Sequence, residues 1–233
     1  MKLKKGDFIK IDYVGRIKET NQIFDLTDAE LAKKENIYQE DAKYKPVTIC
    51  IGEGDVVKGV DAALVNKEVG KSYTIEIGPE EGFGKKDAKL LKLVNTNIFI
   101  KQNINPVPGL QVNMDNLIGT IRTVTGGRTL VDFNHPLAGR DLVYEIKILS
   151  KITDDKEKLE GLLSFHLGID KPDVKIENGT VTINNDVPDM FRKQLEEKIK
   201  KLIPSVKKIE YKKKEEKKEE KEKSTEKTEK KKE

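Results

Sequence analysis

The 233-residue chain has no tryptophan, one cysteine and two histidines. With Cys50 alone, an intrachain disulfide is excluded, and nothing argues for an oxidising compartment. His135 and His166 are too few to build a histidine-based metal centre. No apolar run approaches the ~18 residues that a transmembrane helix requires. The opening M-K-L-K-K-G-D has no apolar segment of the kind a signal peptide carries. These absences lead to the expectation of a soluble, cytoplasmic protein without metal, membrane or disulfide chemistry.

Charge, by contrast, is abundant. Charged residues make up 37% of the chain, against about 25% in an average globular protein. Much of the excess is terminal. Residues 212–233 hold 11 lysines and 8 glutamates and no apolar residue, so they supply three of the four net positive charges. The remainder is nearly neutral, which gives no case for nucleic-acid binding by bulk charge. The 212–233 segment is expected to be a disordered, solubilising Lys/Glu tail.

Along the rest of the chain, alternation and turn signals define short elements. Phe8 to Ile17 reads as a strand that twists or bulges near Gly15, and Ile23 to Asp25 as a strand end. Thr27 or Asp28 can cap a short helix through Ala29, Leu31 and Ala32. A strand from Val47 to Ile51 breaks on Gly52 and Gly54, and a short helix runs from Lys58. Ser72 to Ile77 alternates, and Leu142 to Ile152 is the cleanest alternating strand in the chain. Between them, Leu90, Leu91, Leu93 and Val94 form an apolar cluster, followed by Ile98, Phe99 and Ile100. Short strands follow at Val112–Met114, Leu117–Val124 and Thr129–Asp132, around the Gly126-Gly127 turn. This stretch reads as a small β-rich unit with more apolar side chains than its few elements can cover, and such a surface marks an interaction site. Residues 154–211 read as an α-β-β-α-β unit, with an Asn178-Gly179 hairpin turn and a helix opened by Pro188.

The stretch I-G-E-G-D-V-V-K-G-V-D-A-A-L at 51–64 lies among five further motifs in a definite order. These are Y-V-G-R at 13–16, F-D at 24–25, V-G-K at 69–71, G-F-G at 82–84 and N-H-P-L-A-G at 134–139. Together they resemble the FKBP family of peptidyl-prolyl isomerases, and most closely its archaeal long-type and SlyD-like members, in which a chaperone domain is inserted in the flap. The resemblance implies an α+β fold, an FKBP-like antiparallel sheet wrapped on a short helix. The isomerase domain would be discontinuous, 1–85 with 131–152. A β-rich insert-in-flap domain would span 86–130, and a C-terminal α-β-β-α-β domain 154–211.

The same resemblance implies a pocket and its chemistry. Tyr13, Asp25, Val57, Phe83 and Tyr144 would act on the substrate, with the Val57 N–H holding a carbonyl next to proline and Asp25 orienting the amide or binding Tyr13. Phe24, Val47, Val56, Val60 and Leu137 would line the pocket. Val60 stands where many members carry tryptophan, and Phe83 where many carry tyrosine, so the pocket floor is wider and one hydroxyl donor is lost. Rotation about X-Pro needs no nucleophile, metal or cofactor: a dry apolar site favours the twisted, less charge-separated amide. Leu90, Leu91, Leu93, Ile98 and Phe99 of the insert would bind unfolded clients. The implied partners are unfolded or proline-containing polypeptides and macrolide FKBP inhibitors, and a homodimer through 154–211 is left open. SlyD-type tails often bind metal through His and Cys; residues 212–233 have neither, so that property does not carry over. The competing reading is a non-catalytic holdase with a decayed pocket.

Overall fold

The computed structural model describes residues 2–212. The tail expected to be disordered therefore lies, from residue 213 on, outside the described residues. Two compact units divide at residue 150.

The first unit opens with β1 (Phe8–Ile17), whose inward positions Ile9 and Ile11 are fully buried. Its first half pairs antiparallel with β3 and its second with β2, and the register shifts between Gly15 and Arg16. This is the bulge expected near Gly15. The elements that follow are β2 (Ile23–Leu26), α1 (Ala29–Lys34), β3 (Val47–Cys50), α2 (Lys58–Leu64) and β4 (Ser72–Ile77). Asp28 caps α1, its carboxylate accepting from the N–H groups of Glu30 and Leu31. The glycine turn before α2 is held by two carboxylates from its own neighbourhood. Asp55 accepts from the Cys50 N–H at 2.8 Å, and Asp61 from the N–H groups of Gly52 and Gly54 at 2.7 and 3.2 Å. Gly52 and Gly54 have φ of +89° and +70°, the left-handed region where a side chain would be strained.

A four-stranded antiparallel sheet comes next in sequence. It consists of β5 (Leu91–Asn95), β6 (Gln111–Met114), β7 (Leu117–Thr125) and β8 (Arg128–Asp132), in spatial order β5-β8-β7-β6. The helix α3 (Thr96–Lys101), capped by Asn95, covers it. Of the apolar residues read from sequence, Leu91, Leu93 and Val94 belong to a strand, and Ile98, Phe99 and Ile100, which follow them, belong to a helix. The chain then returns to the first sheet through β9 (Leu142–Ile152), giving the order β2-β1-β9-β4 with β3 on β1. Leu3, Ile9, Ile11, Ile49, Ile51, Val60, Leu64, Ile77, Leu142, Ile146 and Ile148 fill the space between this sheet and α2. Burial of such side chains contributes ~1.5–3 kcal/mol each.

The second unit holds α4 (Asp155–Leu167), β10 (Val174–Glu177), β11 (Thr180–Ile183), α5 (Asp189–Leu202) and β12 (Lys208–Tyr211). β10 and β11 form a hairpin across Asn178-Gly179, and α5 is the crossover that lets β12 run parallel to β11. Its core comprises Leu159, Leu162, Leu163, Val174, Val181, Ile183, Leu195 and Ile199. Among the described residues no helix is long and apolar enough to cross a membrane.

A polar knot ties the two strands of chain that lead into and out of the four-stranded sheet. The Asn134 amide accepts from the Asp87 N–H at 2.8 Å and donates to the Asp87 carbonyl at 3.0 Å and to Asp132 at 2.8 Å. Asp132, 2% exposed, also receives the Asn134 N–H and the Arg122 guanidinium. Burial pushes the Asp132 carboxyl up, but the hydrogen bonds from Asn134 and the bond and charge of Arg122 outweigh it, so the group sits below its ordinary value. Asn134→Ala removes both bonds to the Asp87 backbone and one of the bonds to Asp132, which keeps the residue-134 N–H and Arg122. It is expected to cost about 1–3 kcal/mol, read as faster amide hydrogen exchange in β5 and β8. Because the folded carboxyl titrates below the unfolded one, the stabilisation from Asp132 is complete above the unfolded value of ~3.9 and is lost as pH falls through the lower folded value. Protection factors of the β8 amides, observed exchange referred to the intrinsic rate at each pH, should therefore fall at the acid end of a pH series, and less so in Asp132→Asn.

Candidate functional site

Five rings from five separate segments form a continuous row on the first sheet. Tyr13 on β1 and Tyr144 on β9 have centroids 6.2 Å apart, and Tyr144 meets Phe24 on β2 edge to face at 5.6 Å. Phe24 in turn meets Phe83, in the loop after β4, edge to face at 6.3 Å, and Phe83 stacks flat on His135 at 4.5 Å with 1° between the planes. Edge-to-face contacts of this kind place the positive rim of one ring on the negative face of the next and contribute ~0.5–1.5 kcal/mol beyond area burial.

Local chemistry explains why the row forms. Phe24 lies directly over Gly15: a Cβ there would come within 2.6 Å of the Phe24 ring tip. The glycine of Y-V-G-R is therefore required by a close approach, with no unusual φ involved. Gly59 serves α2 in the same way, because a Cβ would lie 2.8 Å from an Ile77 methyl, so the helix seats tightly on β4. That seating buries Val60 to 1% exposure and brings Val56 and Val57 against the same core. Val57 is the N-cap of α2, and its carbonyl accepts from the Asp61 N–H at 3.0 Å. Among the described residues no acceptor is found for the Val57 N–H.

Tyr13 donates its hydroxyl to Asp25 at 2.6 Å. The Tyr13 hydroxyl is pushed well above its ordinary value, first by burial and then by the bond to Asp25 and the charge of that carboxylate. Tyr144 is pushed up to about 12, mainly by burial, with Asp25 adding to it. Both phenols are therefore neutral hydrogen-bond donors at any physiological pH. Asp25 itself is exposed, so the carboxylate faces the solvent side of the ring row.

The predicted pocket residues thus fall together. Tyr13, Phe24, Val47, Val56, Val57, Phe83 and Leu137 are partly buried against the core that contains Val60 and Tyr144, and Asp25 joins them through Tyr13. The predicted client-binding residues do not all share one environment. Leu90, Leu91, Leu93 and Ile98 are exposed, at 38%, 38%, 59% and 44%. Phe99 must be corrected: it is 2% exposed and packs with Val112, Ile121 and Val131 as the core of the four-stranded sheet. A helix at 96–101 turns Phe99 inward, whereas Ile98 and Ile100 point out. Leu117 and Ile118, exposed at 57% and 68%, extend the apolar surface and were not singled out from sequence. Their alternation is that of any strand, so only accessibility identifies them. His135 was also missed as a wall residue. Its imidazole is fixed by the Leu137 N–H, which donates to Nδ1 at 3.2 Å. Among the described residues no group of three or more His, Cys, Asp or Glu side chains could hold a metal ion.

Gly15→Ala is expected to push Phe24 out of the row. Overpacking of this kind costs ~1–3 kcal/mol, visible as a lower unfolding midpoint together with a changed near-ultraviolet dichroism of the aromatic row.

Comparison with known proteins agrees with this geometry. The family described as "FKBP26, IF domain" matches residues 92–137. A "Short-type peptidyl-prolyl cis-trans isomerase" of Methanocaldococcus jannaschii is 32% identical over 146 residues, which is 63% of this chain and 92% of that protein. A "Probable FKBP-type 16 kDa peptidyl-prolyl cis-trans isomerase" of Pseudomonas fluorescens is 30% identical over 45% of this chain and 71% of its own length. An "FKBP-type peptidyl-prolyl cis-trans isomerase SlyD" of Helicobacter pylori is 29% identical over 52% of this chain and 66% of its own length. With the row of rings over Gly15 and relatives of this identity and coverage, the chain belongs to the FKBP-type, SlyD-like peptidyl-prolyl cis-trans isomerases.

Proposed function

We propose that this protein isomerises X-Pro bonds in the pocket of Tyr13, Phe24, Val56, Val57, Val60, Phe83 and Tyr144, and that it holds unfolded clients on the apolar face of the four-stranded sheet. The observation that carries the first part is the ring row, closed at one end by the Tyr13–Asp25 hydrogen bond. X-Pro rotation is slow, ~10–100 s at 25 °C, because resonance makes the C–N bond partly double. Twisting removes that resonance and the charge separation that goes with it. A wall of rings and valines stabilises the twisted amide relative to the planar one, because it offers the planar, polar amide no water. The Val57 N–H would fix the carbonyl beside the proline. Asp25 would be held beside the twisting amide by Tyr13. This chemistry calls for no cofactor.

The second part rests on exposure. Leu91, Leu93, Ile98, Ile100, Leu117 and Ile118 all stand open to solvent around the four-stranded sheet, and exposed apolar side chains in this number support a binding role for the unit. In this reading residues 86–130 form the insert-in-flap chaperone domain, residues 1–85 with 131–152 the isomerase domain, and residues 154–211 a C-terminal domain that adds a surface for self-association or clients. Tethering a client at the insert raises the effective concentration of its prolines at the pocket. As part of the same proposal the protein works in the cytoplasm; Cys50 is buried and imposes no need for an oxidising compartment.

A protease-coupled assay on proline tetrapeptides, with and without a macrolide inhibitor, is the direct test. Inhibitable turnover is expected; suppression of client aggregation without turnover would point instead to a holdase with a decayed pocket. Phe83→Tyr, which restores a hydroxyl donor worth ~0.5–1.5 kcal/mol, should speed tetrapeptide turnover up to about tenfold. Leu93→Glu combined with Ile118→Glu should leave tetrapeptide turnover unchanged and reduce refolding of a proline-limited protein substrate severalfold. Deleting residues 86–131 should separate the same two activities, and equal refolding by the deletion variant would defeat the chaperone reading.

A further inference from the structure

A concavity borders the residues proposed to hold proline. It is a groove of about 350 Å³ between β2 and the loop at 37–44, lined on its apolar sides by Ile23, Phe24, Leu26, Ile37, Ala42 and Tyr44. Phe24 is common to both: its ring meets Phe83 and Tyr144 in the pocket and also lines the groove. Asp25 lines the groove as well, so the Tyr13–Asp25 hydrogen bond lies at the divide. β2 is an end strand of its sheet, pairing with β1.

The far wall is built in advance. The Tyr44 hydroxyl accepts from the Gln39 N–H at 3.0 Å and donates to the Ile37 carbonyl at 3.5 Å, closing the loop on itself. Tyr38 stacks on Tyr44 at 5.2 Å, and Lys33 lies over the Tyr38 ring at 5.4 Å. Ile37 nevertheless remains 38% exposed and presents an apolar surface to the groove. A loop that uses a tyrosine hydroxyl to hold its own backbone while leaving an isoleucine open has the features of a binding wall.

An extended peptide rises ~3.3 Å per residue and repeats its side-chain direction every second residue. A residue two positions from a proline seated in the pocket therefore points the same way, ~7 Å along, about the width of the Phe24 ring that separates the pocket from the groove. We infer that the groove between β2 and the 37–44 loop is a specificity subsite that takes a large aliphatic or aromatic side chain two residues from the proline being isomerised. The inference rests on the isomerase reading above. The groove is lined by one charge of each sign, Asp25 and Lys43, so its apolar walls set the preference.

The test is kcat/KM on proline peptides carrying Leu, Phe, Gly or Glu two residues before or two residues after the proline. Leu and Phe should exceed Gly by about tenfold in one of the two series, the scale of discrimination that an apolar subsite provides, with Glu no better than Gly. Ala42→Trp fills the groove and Ile37→Asp makes its wall polar. Each should abolish the preference while the Gly peptide keeps the parental rate, and two chemically different variants guard against a single misfolded one. Turnover without preference in either series, or a preference retained by both variants, overturns the subsite and leaves the isomerase standing. A parent inactive on every peptide, Gly included, overturns both.

Discussion

The approach of the Phe24 ring to Gly15 is the contact on which the site depends. A strand bulge and a missing Cβ let β2 bring the tip of an aromatic ring close onto β1, and the ring also meets Tyr144 and Phe83. Without that contact Tyr144 and Phe83 would have no common neighbour among these rings, and the Tyr13–Asp25 hydrogen bond would stand apart from the loop after β4. One backbone feature thus joins three strands and two loops into one apolar wall. The same ring bounds the groove towards the 37–44 loop, so proline pocket and subsite share a structural origin.

Polar groups do separate work around this apolar wall. Asp55 and Asp61 shape the glycine turn that positions Val56 and Val57, whereas Asn134 and Asp132 tie the entry and exit of the four-stranded sheet. Neither set lies in the ring row. This division is what an amide-twisting pocket needs, because a buried charge would favour the planar, polar amide that the site must disfavour. The bond from Tyr13 reconciles the one exception, Asp25, with its apolar neighbours: the carboxylate stays exposed and its partner is a neutral phenol.

Some of this was plain in the chain itself. The alternation of Ser72–Ile77 and Leu142–Ile152, the Asn178-Gly179 hairpin and the Asp28 cap each rest on interactions within a few residues, and each appears at its expected place. The order of six short motifs carries the family resemblance and contains Tyr13, Phe24, Asp25, Val57 and Phe83, whereas Tyr144 lies outside every motif and was implied by the resemblance alone. The role of Gly15 was less plain: a glycine in a strand signals a bulge, but its need to clear Phe24 appears only when the two strands pair. The helix at 96–101 was hidden because Ile98, Phe99 and Ile100 are β-branched or aromatic residues that read as strand, although Asn95 caps it through the Asn97 N–H.

The sequence by itself determined the local elements, the α+β class and the family, because caps, turns and side-chain period are properties of neighbouring residues. Tertiary structure alone decided which apolar side chains are surface and which are core. Ile98 and Phe99 are adjacent in sequence, yet one is open to solvent and the other is sealed against Val112, Ile121 and Val131. It also decided that His135 stacks on Phe83, that Asn134 reaches Asp87 across 47 residues, and that a groove opens beside Phe24. Each of these depends on distances between segments far apart in the chain, which no local pattern encodes.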